Sequence, residues 1–397
     1  MTQHTPLRAL IACLMLAVVL VGCDDASVAP LPTRPSTLPE MPTVPVVTQA
    51  PAVPTPTTPP RSPLLQGWGA QKGFWQVFFT APTGSRDATT YVNGIDGQLA
   101  DAIYTAQRTL DIAAFEFNNV VLTQAVLDAH ARGVVVRMVV DDVHGANGTN
   151  SSIPQFVAAG IPVVNDGRAA LMHNKFMIID STMLWTGSYN YSINDTYRNN
   201  NNMMSFRSQK LVQDFQNEFN KMFELRQFGA SKTANTPVSS FTQNGVPIQV
   251  LFAPKDRVVA AMAVALSGAQ QSIQFMAFSF TLDDIAGIMQ QKAAQGVVIQ
   301  GVFETTGSET RTSELRPLFC SGLDVRQDGN PFVMHHKVFI IDGKTVIMGS
   351  FNFSTSARDD NDENLIIITD PDLALQYQDE FNRRWNEARV PTRLTCN

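Results

Sequence analysis

"LMHNKFMIID" at residues 171–180 and "VMHHKVFIID" at residues 333–342 are one phrase written twice in the same chain. In each, a His is followed two positions later by Lys, and an apolar run then ends in Asp. Residues i and i+2 of a strand face the same way. His173 and Lys175 are therefore expected to project together, with Phe176 and Ile178 turned to the core, and His335 and Lys337 should repeat the arrangement. A single copy reads as an ordinary buried strand. Two copies point to one machine assembled from matched halves.

The similarity extends outward from these phrases. "TLDIAAFEF" from Thr109 matches "SIQFMAFSF" from Ser272, and "ARGVVVRMVVDD" from Ala131 matches "AQGVVIQGVFE" from Ala294. Beyond the central phrases, "WTGSYNYS" from Trp185 matches "IMGSFNFS" from Ile347, and "FQNEFNKMF" from Phe215 matches "YQDEFNRRW" from Tyr377. The period is far longer than that of a solenoid, so this is a duplicated domain. Each copy alternates helix and strand. Leu99, Ile103 and Ala106 share a helical face, "TLDIAAFEF" alternates like a strand, and "LTQAVLDAHARG" reads as a helix stopped at Gly133. "VVVRMVV" reads as a strand buried on both faces, and Leu211, Phe215, Phe219 and Phe223 mark a closing helix. The pattern predicts an α/β fold of two α/β/α sandwich repeats with mixed sheets, lying side by side about a pseudo-twofold and sharing one active site. The repeats are placed at 67–240 and 241–397, with their motifs at 167–194 and 329–356.

If the copies face each other, His173 and His335, Lys175 and Lys337, Ser188 and Ser350, and Asn190 and Asn352 converge. That set suits a phosphodiester. One imidazole can attack phosphorus, and the other can protonate the leaving alcohol and later activate water. Lysines and amides surround the non-bridging oxygens. No metal and no cofactor is required, because the lysines supply the positive charge. No cysteine spacing suggests a zinc site.

His-x-Lys-x4-Asp-x6-Gly-Ser-x-Asn resembles the signature of the phospholipase D superfamily. Both copies match at every spacing: His173, Lys175, Asp180, Gly187, Ser188 and Asn190, then His335, Lys337, Asp342, Gly349, Ser350 and Asn352. The resemblance covers about residues 74–390. It implies a covalent phosphohistidine, independence of metal, and a catalytic motif of His173, Lys175, Asp180, His335, Lys337 and Asp342 in which each Asp is structural. It also implies phosphate binding by Ser188, Asn190, Ser350 and Asn352. Family members often carry a downstream Glu that supports the catalytic imidazole. Glu363 fits this in copy two, whereas Asn201 stands there in copy one. Taken within its own copy, Glu363 favours His335 as base or nucleophile, while the family habit favours His173; the roles stay open here.

Other candidates have plainer readings. His336 is expected to face the core, and His130 and His144 to lie on the surface or at a helix end. Glu116 stands where copy two has Ser279, and a hydrogen-bonded strand end is the simpler expectation for it. "DDVHGANGTNSS" (141–152) follows a strand, where loops often reach a site. Phe78, Phe79, Met203 and Met204 are expected in the core.

The N-terminus has another character. An apolar run from Ala9 to Val21 follows Arg8 and reads as a signal peptide over residues 1–22. Leu20-Val21-Gly22-Cys23 resembles a bacterial lipobox, making Cys23 the expected lipidation site. Residues 23–66 read as a proline-rich disordered linker, since twelve of the chain's 23 prolines fall there. Cys320 and Cys396 remain in the folded part, either bridged or as two buried thiols. The chain carries 29 basic against 35 acidic residues, a net charge of −6, so no basic footprint for nucleic acid stands out.

These readings converge on an exported enzyme of the cell envelope, lipid-anchored on the periplasmic side of the inner membrane. It is expected to be a monomer with an internal pseudo-dimer, hydrolysing phospholipids to phosphatidate and a head-group alcohol. A nuclease acting on DNA or RNA, or a phosphatidyltransferase of the cardiolipin-synthase type, is the alternative.

Overall fold

A computed structural model describes residues 61–396 apart from Thr236. The leader, Cys23 and nearly all of the proline-rich segment lie outside the described residues.

The first repeat is built on β1 (Arg61–Leu64), β2 (Gly67–Lys72), β3 (Trp75–Thr80), β4 (Thr109–Ala114), β5 (Val135–Val140), β6 (Val163–Asn165), β7 (Phe176–Ile179), β8 (Met183–Gly187) and β9 (Asn202–Phe206). They form one sheet in the order β1-β2-β3-β9-β8-β7-β4-β5-β6. The second repeat uses β10 (Ser239–Gln243), β11 (Val246–Ala253), β12 (Ser272–Ala277), β13 (Val298–Phe303), β14 (Asp324–Gln327), β15 (Lys337–Ile341), β16 (Thr345–Gly349) and β17 (Glu363–Thr369). Its order, β10-β11-β17-β16-β15-β12-β13-β14, repeats the first once β1 is set aside. Both sheets are mixed: β4, β5 and β6 run parallel, as do β12, β13 and β14, and the remaining pairs are antiparallel.

Helices cover the sheets on both faces. Helices α1 (Ile95–Tyr104), α2 (Val120–Ala131) and α3 (Ile153–Ala158) bury Leu99, Ile103, Val126 and Phe156 with Ile112, Met138 and Met177 of the first sheet. A short α4 (Ile193–Tyr197) precedes β9, and α5 (Gln209–Phe223) follows it. In the second repeat, α6 (Val258–Ser267), α7 (Asp283–Ala294), α8 (Leu315–Cys320) and α9 (Thr355–Asp359) occupy matching places, and α10 (Pro371–Glu387) closes the chain. The helical spacing of Leu211, Phe215 and Phe219 puts all three in the core, as the sequence predicts. Helix α5 packs on β5, β7 and β8 and reaches β11, while α10 packs on β12, β13, β15 and β16 and reaches β3. One apolar cluster therefore runs through both repeats and joins Phe176, Phe215 and Phe219 to Val338, Ile340, Tyr377 and Phe381.

Three details depart from the sequence reading. Strand β1 falls inside the expected linker. Its position at the sheet edge tolerates Pro63, which has no N–H to give to a second neighbour. Strand β5 is not buried on both faces, because Val135 is exposed and Arg137 is held by Asp111 at 2.7 Å. The motif histidines lie ahead of β7 and β15, not within them. Cys320 and Cys396 are bridged, with Cα atoms 5.3 Å apart.

Candidate active site

The short segment before each motif strand leaves its own sheet and pairs with the other repeat. Met172 bridges Asp362, and Met334 bridges Asn200. His173 N donates to Asp362 O at 3.0 Å and Asp362 N to Leu171 O at 2.8 Å. Reciprocally, His335 N donates to Asn200 O at 2.9 Å and Asn200 N to Val333 O at 2.8 Å. These crossed bridges fix the pseudo-twofold at the histidines. They also place the residue after each bridge, Asn201 or Glu363, beside the imidazole of the opposite copy.

Glu363 accordingly serves His173. His173 Nδ1 lies 2.8 Å from each carboxylate oxygen of Glu363, whose position is fixed by the Ser350 hydroxyl donating to it at 2.7 Å. The expectation that Glu363 favours His335 is thus corrected: the support crosses between repeats. His335 Nδ1 lies 3.0 Å from Asn201 Oδ1. The Asn201 amide is oriented by its Nδ2, which donates to Asp195 O at 3.2 Å, and by the Ser188 hydroxyl, which donates to its Oδ1 at 2.9 Å. An amide oxygen only accepts, so His335 carries its proton on Nδ1 in the neutral form. Asp195 Oδ2 stands 3.7 Å from that nitrogen, and Ala357 holds the matching place in the second repeat, with no carboxylate.

The lysines are held alike. Lys175 Nζ donates to His173 O at 2.7 Å and sits 4.7 Å above the Phe115 ring; Lys337 Nζ donates to His335 O at 2.9 Å and sits 4.7 Å above Phe278. Phe115 and Phe278 also meet the rings of His173 and His335 edge-on at 4.8 Å. Sequence reasoning passed over these two aromatics and Asp195. The aligned "AAFEF" and "MAFSF" contained the signal for the pair, since each Phe stands just past its strand in both copies.

Burial governs the electrostatics. His173, Lys175, His335 and Lys337 are all at most 7% exposed. Burial, then the charges of Lys175 and Lys337, holds His173 well below the ordinary imidazole value. Burial followed by the same lysines does so for His335. Burial pushes Lys175 down to about 8. It pushes Glu363 up to about 8, against the pull of Lys175 and Ser350. Burial thus disfavours charge on both members of this contact. Both histidines rest neutral, ready to gain charge when an anion arrives between the lysines.

The motif aspartates are not in this pocket, which corrects their grouping with the catalytic set and agrees with the structural role that the resemblance implies. Asp180 and Asp342 lie past the far ends of β7 and β15. Asp180 accepts from the backbone N–H groups of Gln107, Arg108 and Thr109, and Asp342 from those of Gln270, Gln271 and Ser272. Ser188 and Ser350 are fully buried, and their hydroxyls are donated to Asn201 and Glu363. The side-chain oxygens of Asn190 and Asn352 have no partner among the described residues. Gly187 and Gly349 are required by close approach: a Cβ would stand 2.4 Å from Asn202 O and 2.3 Å from Asn364 O.

The remaining candidates divide. His336 is fully buried between Asn202 and Glu380, in the core as expected. His130 is at the end of α2, its Nε2 3.1 Å from Ala159 O. His144 is exposed and lies against Phe115, with ring centroids 4.6 Å apart. It lines a cavity of about 460 Å³ with Glu116, Asn147, Thr149 and Ser151, so the 141–152 loop does reach the neighbourhood of the site.

The description "Cardiolipin synthase, PLD-like domain" belongs to a family that matches residues 99–223 and again 262–385. The chain is 38% identical to the mitochondrial cardiolipin hydrolase of Chlamydomonas reinhardtii over 125 residues, which are 32% of this chain and 56% of that protein. It is 33% identical to a phospholipase D of Rickettsia conorii over 138 residues, 34% of this chain and 69% of that one. This chain thus spans little more than half the length of the first of these curated relatives. Among solved structures, the phosphatidylserine synthase of Haemophilus influenzae shares the fold, with a TM-score of 0.58 at 15% identity over 75% of this chain and 85% of that one. Two matches, one to each repeat, meet the two complete motifs at one pseudo-twofold, and the chain belongs to the phospholipase D-like family.

Proposed function

We propose that the chain is a phosphodiesterase working through a phosphohistidine, with His173 as nucleophile and His335 as general acid and base. The contact between His173 Nδ1 and Glu363 carries this assignment. When Nε2 of His173 forms its bond to phosphorus the imidazole becomes cationic, and Glu363 offsets that charge directly. The P–O bond to the leaving alcohol breaks as His335, which takes up a second proton on Nε2 when the phosphodiester binds, delivers that proton to the alcohol oxygen. Water then attacks phosphorus while His335 takes its proton, and the P–N bond breaks to restore His173. Lys175 and Lys337 balance the charge on the non-bridging oxygens, with Asn190 and Asn352 beside them.

Phospholipids are the proposed substrates, giving phosphatidate and the head-group alcohol. The names of the relatives and the acidic balance of the chain support this over nucleic acid. Anchoring through Cys23 in the cell envelope, on the periplasmic side of the inner membrane, is proposed on the lipobox-like residues and would hold a monomer beside such substrates. Incubating the His335→Ala chain with an aryl phosphodiester, whose leaving group needs no acid, tests the assignment. A phosphoryl adduct should accumulate, and peptide mass spectrometry should find it on His173. An adduct on another residue, or none while wild type turns over, would overturn it.

A further inference from the structure

The two repeats differ in what packs beside their motif turns. Residues 254–257 join β11 to α6, but residues 81–94 join β3 to α1, so the first repeat carries an inserted loop. This loop folds onto the turn that leads into the second motif, where a Cβ at Gly84 would stand 3.3 Å from Pro331. Arg86 from the loop lies 5.2 Å from the ring centre of Phe332, and Arg198, from the end of α4, lies 5.5 Å from the same ring. Arg198 donates to the Tyr91 hydroxyl at 2.6 Å and lies over that ring at 5.6 Å, while Tyr91 stacks on Tyr197 at 4.8 Å. Neither guanidinium has a carboxylate partner among the described residues. Phe332 is three residues before His335, at most about 10 Å along the chain.

Among the described residues, nothing comparable stands beside His173. There the matching positions hold Asp360 and Asp362, and Arg168 is consumed by Asp362, Asp166 and the carbonyl of Asp360. Of the two motif turns, only the one leading to His335 thus has arginines without a carboxylate partner among the described residues. If His173 attacks in line, as in the function proposed above on which this inference rests, the His335 side receives the leaving alcohol.

We propose that Arg86 and Arg198, held across Phe332, form a subsite for a second phosphate carried by the leaving alcohol. The preferred substrate is then a lipid phosphodiester whose head group itself bears a phosphate, as in two phosphatidyl groups joined by a short polyol. A nucleic-acid strand would also offer a second phosphate. The aromatic rings argue against it, because single-strand binding uses open aromatic faces to stack bases. Phe332 already lies under two guanidiniums, and Tyr91 is engaged with Tyr197 and Arg198.

The test compares kcat/KM of the full chain on three substrates: diphosphatidylglycerol vesicles, phosphatidylcholine vesicles and a single-stranded oligonucleotide. Arg86→Ala is the main variant, since among the described residues its guanidinium meets only the Phe332 ring, and folding should survive. Arg198→Gln, checked by melting temperature, is the second. Each should lower the ratio of diphosphatidylglycerol to phosphatidylcholine turnover about tenfold, the scale of one charge-assisted contact. An unchanged ratio in both variants would overturn the subsite while leaving the phosphodiesterase reading intact. A matching loss confined to the oligonucleotide would replace the lipid with a nucleic acid. A wild-type chain inert on all three substrates would instead sink the function itself.

Discussion

Glu363 and Asn201 occupy equivalent positions in the two repeats and give their histidines unequal chemistry. A carboxylate can compensate a full positive charge; an amide can only fix a tautomer. Replacing Glu363 by Gln keeps shape and hydrogen bonding but removes the compensation, and kcat should fall about 10²-fold with little change in melting temperature. An unaltered kcat would show that the carboxylate does not serve the nucleophile. The pH profile follows from the same groups. His173 must be neutral to attack, and its proton affinity is lowered, so the acid limb of kcat/KM should lie below the ordinary imidazole value of about 6.5. His335 must be protonated to act as the acid, and its proton affinity is lowered as well, so the alkaline limb begins as His335 loses that proton, and the loss of charge on Lys175 as pH rises through about 8 deepens the decline. A stopped assay across the range checks both limbs, and an acid limb above the ordinary imidazole value would contradict the first.

At the scale of elements, the turns after β7 and β15 are tied down by Asp180 and Asp342. Each binds three successive N–H groups at the start of the neighbouring strand, β4 or β12, and so sets where that strand begins. Asp180→Ala should cost about 2 kcal/mol, the scale of hydrogen bonds to a charged group, seen as a lower melting temperature with activity per folded molecule retained. Partial burial tends to raise both carboxyls, but the amide hydrogen bonds win and hold them below the ordinary value. Their contribution is therefore fully present above about pH 4 and is lost as pH falls through the lower folded value. An activity loss at Asp180→Ala without a stability loss would return the residue to the catalytic set.

For the whole molecule, the decisive feature is a core that does not respect the repeat boundary. Because α5 and α10 each reach the other repeat's sheet, neither half holds a complete site and neither exchanges freely with its counterpart in another molecule. His173→Ala and His335→Ala should each abolish turnover, and mixing the two purified variants should not restore it. Recovered activity on mixing would mean that halves from different chains pair, contrary to a monomer with an internal pseudo-dimer.

The duplicated phrase, the i and i+2 placement of His and Lys, and the helical spacing of Leu211, Phe215 and Phe219 are local patterns. They were legible because periodicity reports which way a side chain points within its own element. From them alone followed the α/β class, the two repeats and the identity of the histidines and lysines. The partner of each imidazole was not legible, because no local pattern encodes it. Glu363 lies 190 residues from His173 along the chain and reaches it only because the segment before β7 pairs with the segment before β17. The same crossing placed Asn201 on His335, and the inserted loop brought Arg86 to Phe332. Composition and periodicity determine what each repeat becomes; only the packing of one repeat on the other decides which residues meet, since those contacts exist once the shared core has formed.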